Sequence, residues 1–137
     1  MEKWDVVVVG GGPTGVELSG AIAELQRAMR REFPDLVDLG SVTLVEAGPR
    51  LLPSFSEKSS EHARHELEQL GVVVRVDSAV DRLCPTDVHL RSGDVLAAGA
   101  IIWAAGVAAP AAQMIVPAVS TSPDFRCTTP SAVSAFT

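Results

Sequence analysis

Four consecutive valines, Val6 to Val9, run directly into the glycine stretch GGGPTG, and no other feature of the chain limits its fold as strongly. An unbroken β-branched run marks a strand buried on both faces, as in a parallel sheet. Gly10, Gly12 and Gly15 then fit Gly-x-Gly-x-x-Gly. From Pro13 or Thr14 to about Arg31 the apolar positions take helical spacing, Val16, Ile22 and Ala23 among them, and Pro34 forbids easy continuation. Strand, glycine turn and helix in this order make a phosphate cradle. The first glycine permits the tight turn, the second lets backbone approach a pyrophosphate, and the third lets the helix pack closely on the strand. The helix N-terminus adds unpaired N–H groups and a partial positive charge. NAD and FAD share this loop, so the pattern alone leaves the dinucleotide open.

The rest of the chain repeats the alternation. Ser41 to Gly48 reads as a second strand. Ser54 or Ser56 is placed to cap a second helix, in which Ala63, Leu67 and Leu70 keep helical spacing and which Gly71 ends. Val72 to Val76 is a third strand. Between Val80 and Leu96, short segments flank the turn residues Ser92 and Gly93, which predicts an antiparallel excursion. Ala100 to Val107 returns as a buried strand. The expected fold class is α/β: a Rossmann-like doubly wound parallel sheet with an antiparallel β-meander excursion. After this strand Pro110, Pro117, Pro123 and Pro130 punctuate the pattern, so residues 1–113 are expected to form the dinucleotide-binding domain and 114–137 an irregular or disordered tail.

Composition excludes other classes. A formal net charge of -6 argues against a nucleic-acid partner, which wants a basic face. No apolar run reaches the roughly 18 to 20 residues that span a bilayer. The opening Met1-Glu2-Lys3 leads straight to a strand without a signal peptide, so a cytoplasmic location is expected. Cys84 and Cys127 stand far apart and read as buried or idle thiols, so neither a redox dithiol nor a structural zinc site is expected. His62, His65 and His89 have no metalloprotease spacing and no nucleophile partner.

Three positions outside the glycine loop carry site chemistry. Glu46, at the end of the second strand, is placed to accept hydrogen bonds from both hydroxyls of an adenosine ribose and to repel an added phosphate. Its distance from the loop exceeds the usual roughly 20 residues, and the segment from Arg30 to Gly40 accounts for the excess as an inserted loop. Glu17 lies two residues past Gly15. Either it gains from the helix dipole, or it touches the nicotinamide end of a bound cofactor. Gly106 ends the last strand where a ligand crosses the carboxyl ends of the sheet. Arg50 lies near enough to take a 2′-phosphate but reads better as a surface arginine after a turn, and Trp103 reads as core packing rather than a stacking platform.

The blocks VVVVGGGPTGVELSGAIAEL, VTLVEAGPRLLPSFSEKSSEHARHELEQLGVVVRV and IIWAAGV resemble the NAD-binding domain of type II NADH dehydrogenases, over roughly Val6 to Pro110. These are non-proton-pumping NADH:quinone oxidoreductases among the two-dinucleotide-domain flavoproteins. The resemblance implies that Gly10, Gly12, Pro13, Thr14 and Gly15 hold the NADH pyrophosphate. It places Glu46 on the adenosine ribose, Glu17 near the nicotinamide and Gly106 along the cofactor path. It implies hydride transfer from NADH to FAD and then to quinone, in enzymes peripheral on the membrane. The FAD half and the membrane-binding helices of that family have no counterpart in this sequence. The expected cofactor is therefore NAD(H), with FAD only where a missing domain is supplied, possibly by a separate chain. The isolated chain is expected to be inactive, with no catalytic residue of its own. Two alternatives stay open: an FAD-binding domain, and a non-catalytic NADH-binding module.

Overall fold

The computed structural model describes residues 4–35, 39–105, 113–115 and 127–131. Its first strand, β1 (Val6–Val9), leads into α1 (Pro13–Glu32), then β2 (Val42–Val45), α2 (Glu57–Gln69) and β3 (Val73–Arg75). Three short strands follow, β4 (Val80–Leu83), β5 (Asp87–Leu90) and β6 (Val95–Ala97), and then β7 (Ala100–Trp103) and β8 (Gln113–Ile115). The main sheet has the order β3-β2-β1-β7-β8. β1 is central and pairs in parallel with both β2 and β7, with Val8 beside Leu44 on one side and Ile102 on the other. β4, β5 and β6 form a separate antiparallel sheet, the expected excursion.

The valine run explains this arrangement. Successive side chains of a strand point to opposite faces, so β1 feeds two cores at once. Val8 packs with Leu44, Ile102, Ala23 of α1 and Leu67 of α2. Val7 and Val9 pack with Ile101 and Trp103 and with Val80, Leu83, Val88 and Leu90 from the three-stranded sheet. Helices cover one face of the parallel sheet and the meander covers the other. Val8, Leu44 and Val88 are completely buried; each such side chain is worth about 1.5–3 kcal/mol against leaving it in water. Among the described residues no helix is long and apolar enough to cross a membrane.

Local signals resolve at finer grain than the sequence allows. Of the two serines before α2, Ser56 is the cap: its Oγ accepts from the Ser59 N–H at 3.1 Å. Gly71, after the helix, takes φ +90, as a left-handed helix terminus requires. Two features are new. β8 pairs antiparallel with β7, although the sequence after Met114 shows no convincing pattern. Cys84 and Cys127, read as idle thiols, are joined in a disulfide. Beside it Thr128 exchanges both backbone hydrogen bonds with Leu83 of β4, at 2.8 and 2.7 Å. Sequence spacing carries no information about such a pairing, because the fold brings the two cysteines together. The remainder of residues 106–137 lies outside the described residues, and Gly106 with it.

Candidate functional site

Gly10, Glu46 and Ala104 stand side by side at the carboxyl ends of β1, β2 and β7. Gly10 N–H donates to Val45 O at 2.8 Å, and Ala104 N–H to Val9 O at 2.7 Å, so the ladder stays intact up to the glycine turn. Gly10 has φ +116, and a Cβ there would lie 2.7 Å from the Ala105 nitrogen. Only glycine combines that conformation with that contact. At Gly15 a Cβ would collide with the carbonyl oxygen of Gly10. This is the close helix–strand approach expected of the third motif glycine. Gly12 differs: nothing lies within 4 Å of the position a Cβ would occupy. The space beside it is open, as required if a ligand is to meet its backbone.

Gly12 is the N-cap of α1, with no side-chain cap, and Pro13 opens the helix. Proline removes one of the orphan donors of the first turn, and the uncapped amides of Thr14 and Gly15 are left for a partner. Ser19 is fully buried and donates to Gly15 O at 2.7 Å. Glu17 is exposed. It is the fifth residue of the helix, beyond the first turn, where the dipole benefit fades. A purely helix-stabilising reason for Glu17 is therefore weaker than the sequence suggests.

Glu46 is half-buried and spans the mouth of the turn. Its Oε1 accepts from the Gly11 N–H and its Oε2 from the Gly48 N–H, both at 3.3 Å. A carboxylate has about four lone-pair sites, so these bonds leave capacity for ribose hydroxyls. The loop after β2 reinforces the same point. Leu51 is buried against Gly11, and the Leu52 N–H donates to Gly11 O at 2.8 Å. Leu52 holds φ +50, uncommon for a branched residue.

Arg50 keeps this loop in place. Its guanidinium donates to Phe55 O at 2.9 Å, to Pro53 O at 3.0 Å and to Ser60 Oγ at 2.8 Å. It is a partly exposed arginine after a turn, and its guanidinium forks onto the loop. With these acceptors engaged it is turned to the loop and not to a phosphate on the ribose. Two more residues of this site have a signal in the sequence: Gly11 is the surplus glycine of GGG, and Ser60 is a serine at a buried helix position.

A cleft of about 240 Å³ opens at this end of the sheet. Glu46, Ser78, Arg91, Trp103 and Ala105 line it, together with Pro130. Trp103 thus both fills the core and forms cleft wall. Its volume is below the roughly 300–1,000 Å³ of sites that enclose a whole ligand, so it suits one end of an extended dinucleotide rather than all of it. Nothing in the sequence points to Ser78 or Arg91; they arrive through the meander's position.

A central parallel strand that runs through a glycine turn into a helix start defines a Rossmann-like α/β fold. The chain belongs to the pyridine nucleotide-disulphide oxidoreductase family, whose model matches residues 2–117. It is 38% identical over 109 residues to a type II NADH:quinone oxidoreductase of Haemophilus influenzae, covering 78% of this chain and 24% of that protein. It is 32% identical over 109 residues to a probable mitochondrial NADH-ubiquinone oxidoreductase of Schizosaccharomyces pombe, covering 73% of this chain and 20% of that one. NDH2 of Plasmodium falciparum, solved in complex with NADH, superimposes with a TM-score of 0.70 at 30% identity, covering 76% of this chain and 22% of that one. The chain spans about a fifth to a quarter of the length of these relatives.

Proposed function

We propose that the chain is the NADH-binding portion of a flavin-dependent NADH:quinone oxidoreductase. The observation that carries this reading is the conjunction of an open Gly12, an uncapped helix start and a half-buried Glu46 at one end of the sheet. The pyrophosphate lies against Gly10, Gly12, Pro13, Thr14 and Gly15, where backbone N–H groups meet its charge. The ribose hydroxyls of the adenosine donate to Glu46. Glu17, exposed on the next turn, faces the nicotinamide end; the role along the cofactor path that the resemblance implies for Gly106 falls on a residue outside those described. The similarity to type II enzymes supports NADH as the dinucleotide.

A flavin held by the other half would supply the hydride acceptor and the electron relay to quinone. This chain's own residues bind and orient the donor; none of them replaces the flavin. The FAD-binding half is to come from further sequence or a separate chain, and the assembled enzyme works at a membrane surface. Quenching of intrinsic tryptophan fluorescence by NADH tests the reading, because Trp103 lines the cleft. Saturable quenching without NADH oxidation is expected from the pure chain. The absence of saturable quenching refutes NADH binding. Quinone reduction by the pure chain without flavin refutes the division of labour.

A further inference from the structure

The outer face of the meander carries a second group of chemically capable side chains, away from the dinucleotide cleft. Asp87 and His89 alternate along β5 and so project from the same side of it. Cys84 sits across the hairpin, its N–H donating to Asp87 O at 2.9 Å. One ligand atom from each of Cys84, Asp87 and His89 lies within 4.8 Å of the other two. A tetrahedral zinc site, with bonds of about 2.0–2.3 Å, sets its ligand atoms about 3.5 Å apart. Modest side-chain rotation covers the difference.

Asp87 and His89 are already in contact with each other. Asp87 Oδ1 is buried and 2.6 Å from His89 Nε2, yet it has no hydrogen-bond partner among the described residues. The contact is an ion pair of the carboxylate with the imidazole rather than an aligned hydrogen bond, and it sets the carboxylate and the ring side by side. The Arg82 Nη2 atom lies 3.3 Å from His89 Nδ1. Arg82 is exposed, so its guanidinium can turn away from Nδ1 into solvent.

We infer that Cys84, Asp87 and His89 form a zinc site that opens when the Cys84–Cys127 disulfide is reduced. Cys84 is not a thiolate while its sulfur is bonded to Cys127, so the oxidised chain lacks a ligand. Cys127 is exposed, which leaves the disulfide open to attack. A dithiol supplies two electrons and two protons, breaks the S–S bond and ends as its own disulfide. The metal then displaces the Cys84 thiol proton and binds the imidazole and the carboxylate. Cys127, released within reach, or water completes the four positions. The choice of zinc follows from one soft, one borderline and one hard donor in a compact set.

Co2+ is the probe, because its thiolate complexes absorb visibly where zinc is silent. Cys127→Ser frees Cys84 without any reductant. We expect no thiolate charge-transfer band from the untreated wild type. One Co2+ should bind to Cys127→Ser, and to the dithiol-reduced wild type, with that band and with displacement by Zn2+. In the Cys127→Ser background, His89→Ala or Asp87→Asn should weaken binding by about tenfold or more, since losing even an outer-shell partner costs that much. Circular dichroism establishes that each variant is folded. If Cys127→Ser does not fold, the reduced wild type against reduced His89→Ala gives the same comparison. No thiolate band after reduction overturns the proposal. So does unchanged affinity in both ligand variants, which would leave a bare cysteine as the binder.

Discussion

Glu46 and Gly11, 35 residues apart, are joined by a 3.3 Å hydrogen bond from the glycine amide to Oε1. The residue proposed to read the ribose therefore also ties the glycine turn to the end of β2. Glu46→Ala removes the acceptor of two backbone amides, and we expect it to cost about 1–3 kcal/mol of stability. Glu46→Gln keeps one acceptor oxygen and should cost about half as much. Urea unfolding of the two variants checks the order.

The three motif glycines are not equivalent, and the difference separates folding from binding. Gly15→Ala drives a methyl into the Gly10 carbonyl, so we expect a loss of about 3 kcal/mol or more. Gly12→Ala meets nothing within 4 Å, and its extended φ of -75 suits alanine. Its stability should fall by about 1 kcal/mol or less, the difference between the two residues as N-caps. NADH affinity should nonetheless drop about tenfold or more, because the methyl occupies the pyrophosphate's approach. Urea midpoints and NADH titrations of the two variants give the comparison.

Arg50 acts through the loop it holds. Arg50→Ala abandons Phe55 O, Pro53 O and Ser60 Oγ and is expected to cost about 2 kcal/mol. Arg50→Lys should recover only part, because an ammonium cannot reproduce the planar fork. Limited proteolysis within residues 49–56 should speed up in both variants, more in the alanine.

The Arg75 guanidinium, 2.6 Å from Asp94, holds that carboxyl below its usual 3.8, with help from Ser92. A depressed folded-state value means the contribution is present above the unfolded value and is lost as pH falls through the folded one. Asp94→Asn should therefore lower the urea midpoint slightly at pH 6, with the gap closing as pH falls below 3.8. The group is exposed, so added salt at pH 6 should close it too. A gap that persists at low pH excludes the ion pair as its source.

Much of this molecule is legible in its residues because the decisive signals are local. Val6 to Val9, the glycine loop and Glu46 each carry their reason within a few positions, and the resemblance to type II enzymes spans the same blocks. What sequence reading misses depends on partners distant along the chain. Arg50 looks like any arginine after a turn until Ser60 and two carbonyls converge on it. The β8 pairing rests on backbone groups of a Pro-punctuated segment with no side-chain periodicity. The disulfide needs the fold to bring Cys127 to the β4–β5 hairpin, and the Cys84, Asp87, His89 group follows from the same hairpin geometry.

The role proposed for Glu46 is tested most directly by the dinucleotide that the chain prefers. Calorimetric titration of the wild-type chain with NADH and with NADPH measures it directly. In the function proposed above, Glu46 accepts from free ribose hydroxyls and repels a 2′-phosphate, while Arg50 is committed to the loop. We expect one NADH per chain, bound about tenfold or more tightly than NADPH, a difference of about 1.4 kcal/mol. In Glu46→Gln that ratio should shrink toward one. Equal affinities in the wild type, or a preference for NADPH, would contradict the role given to Glu46 and with it the reading of the site.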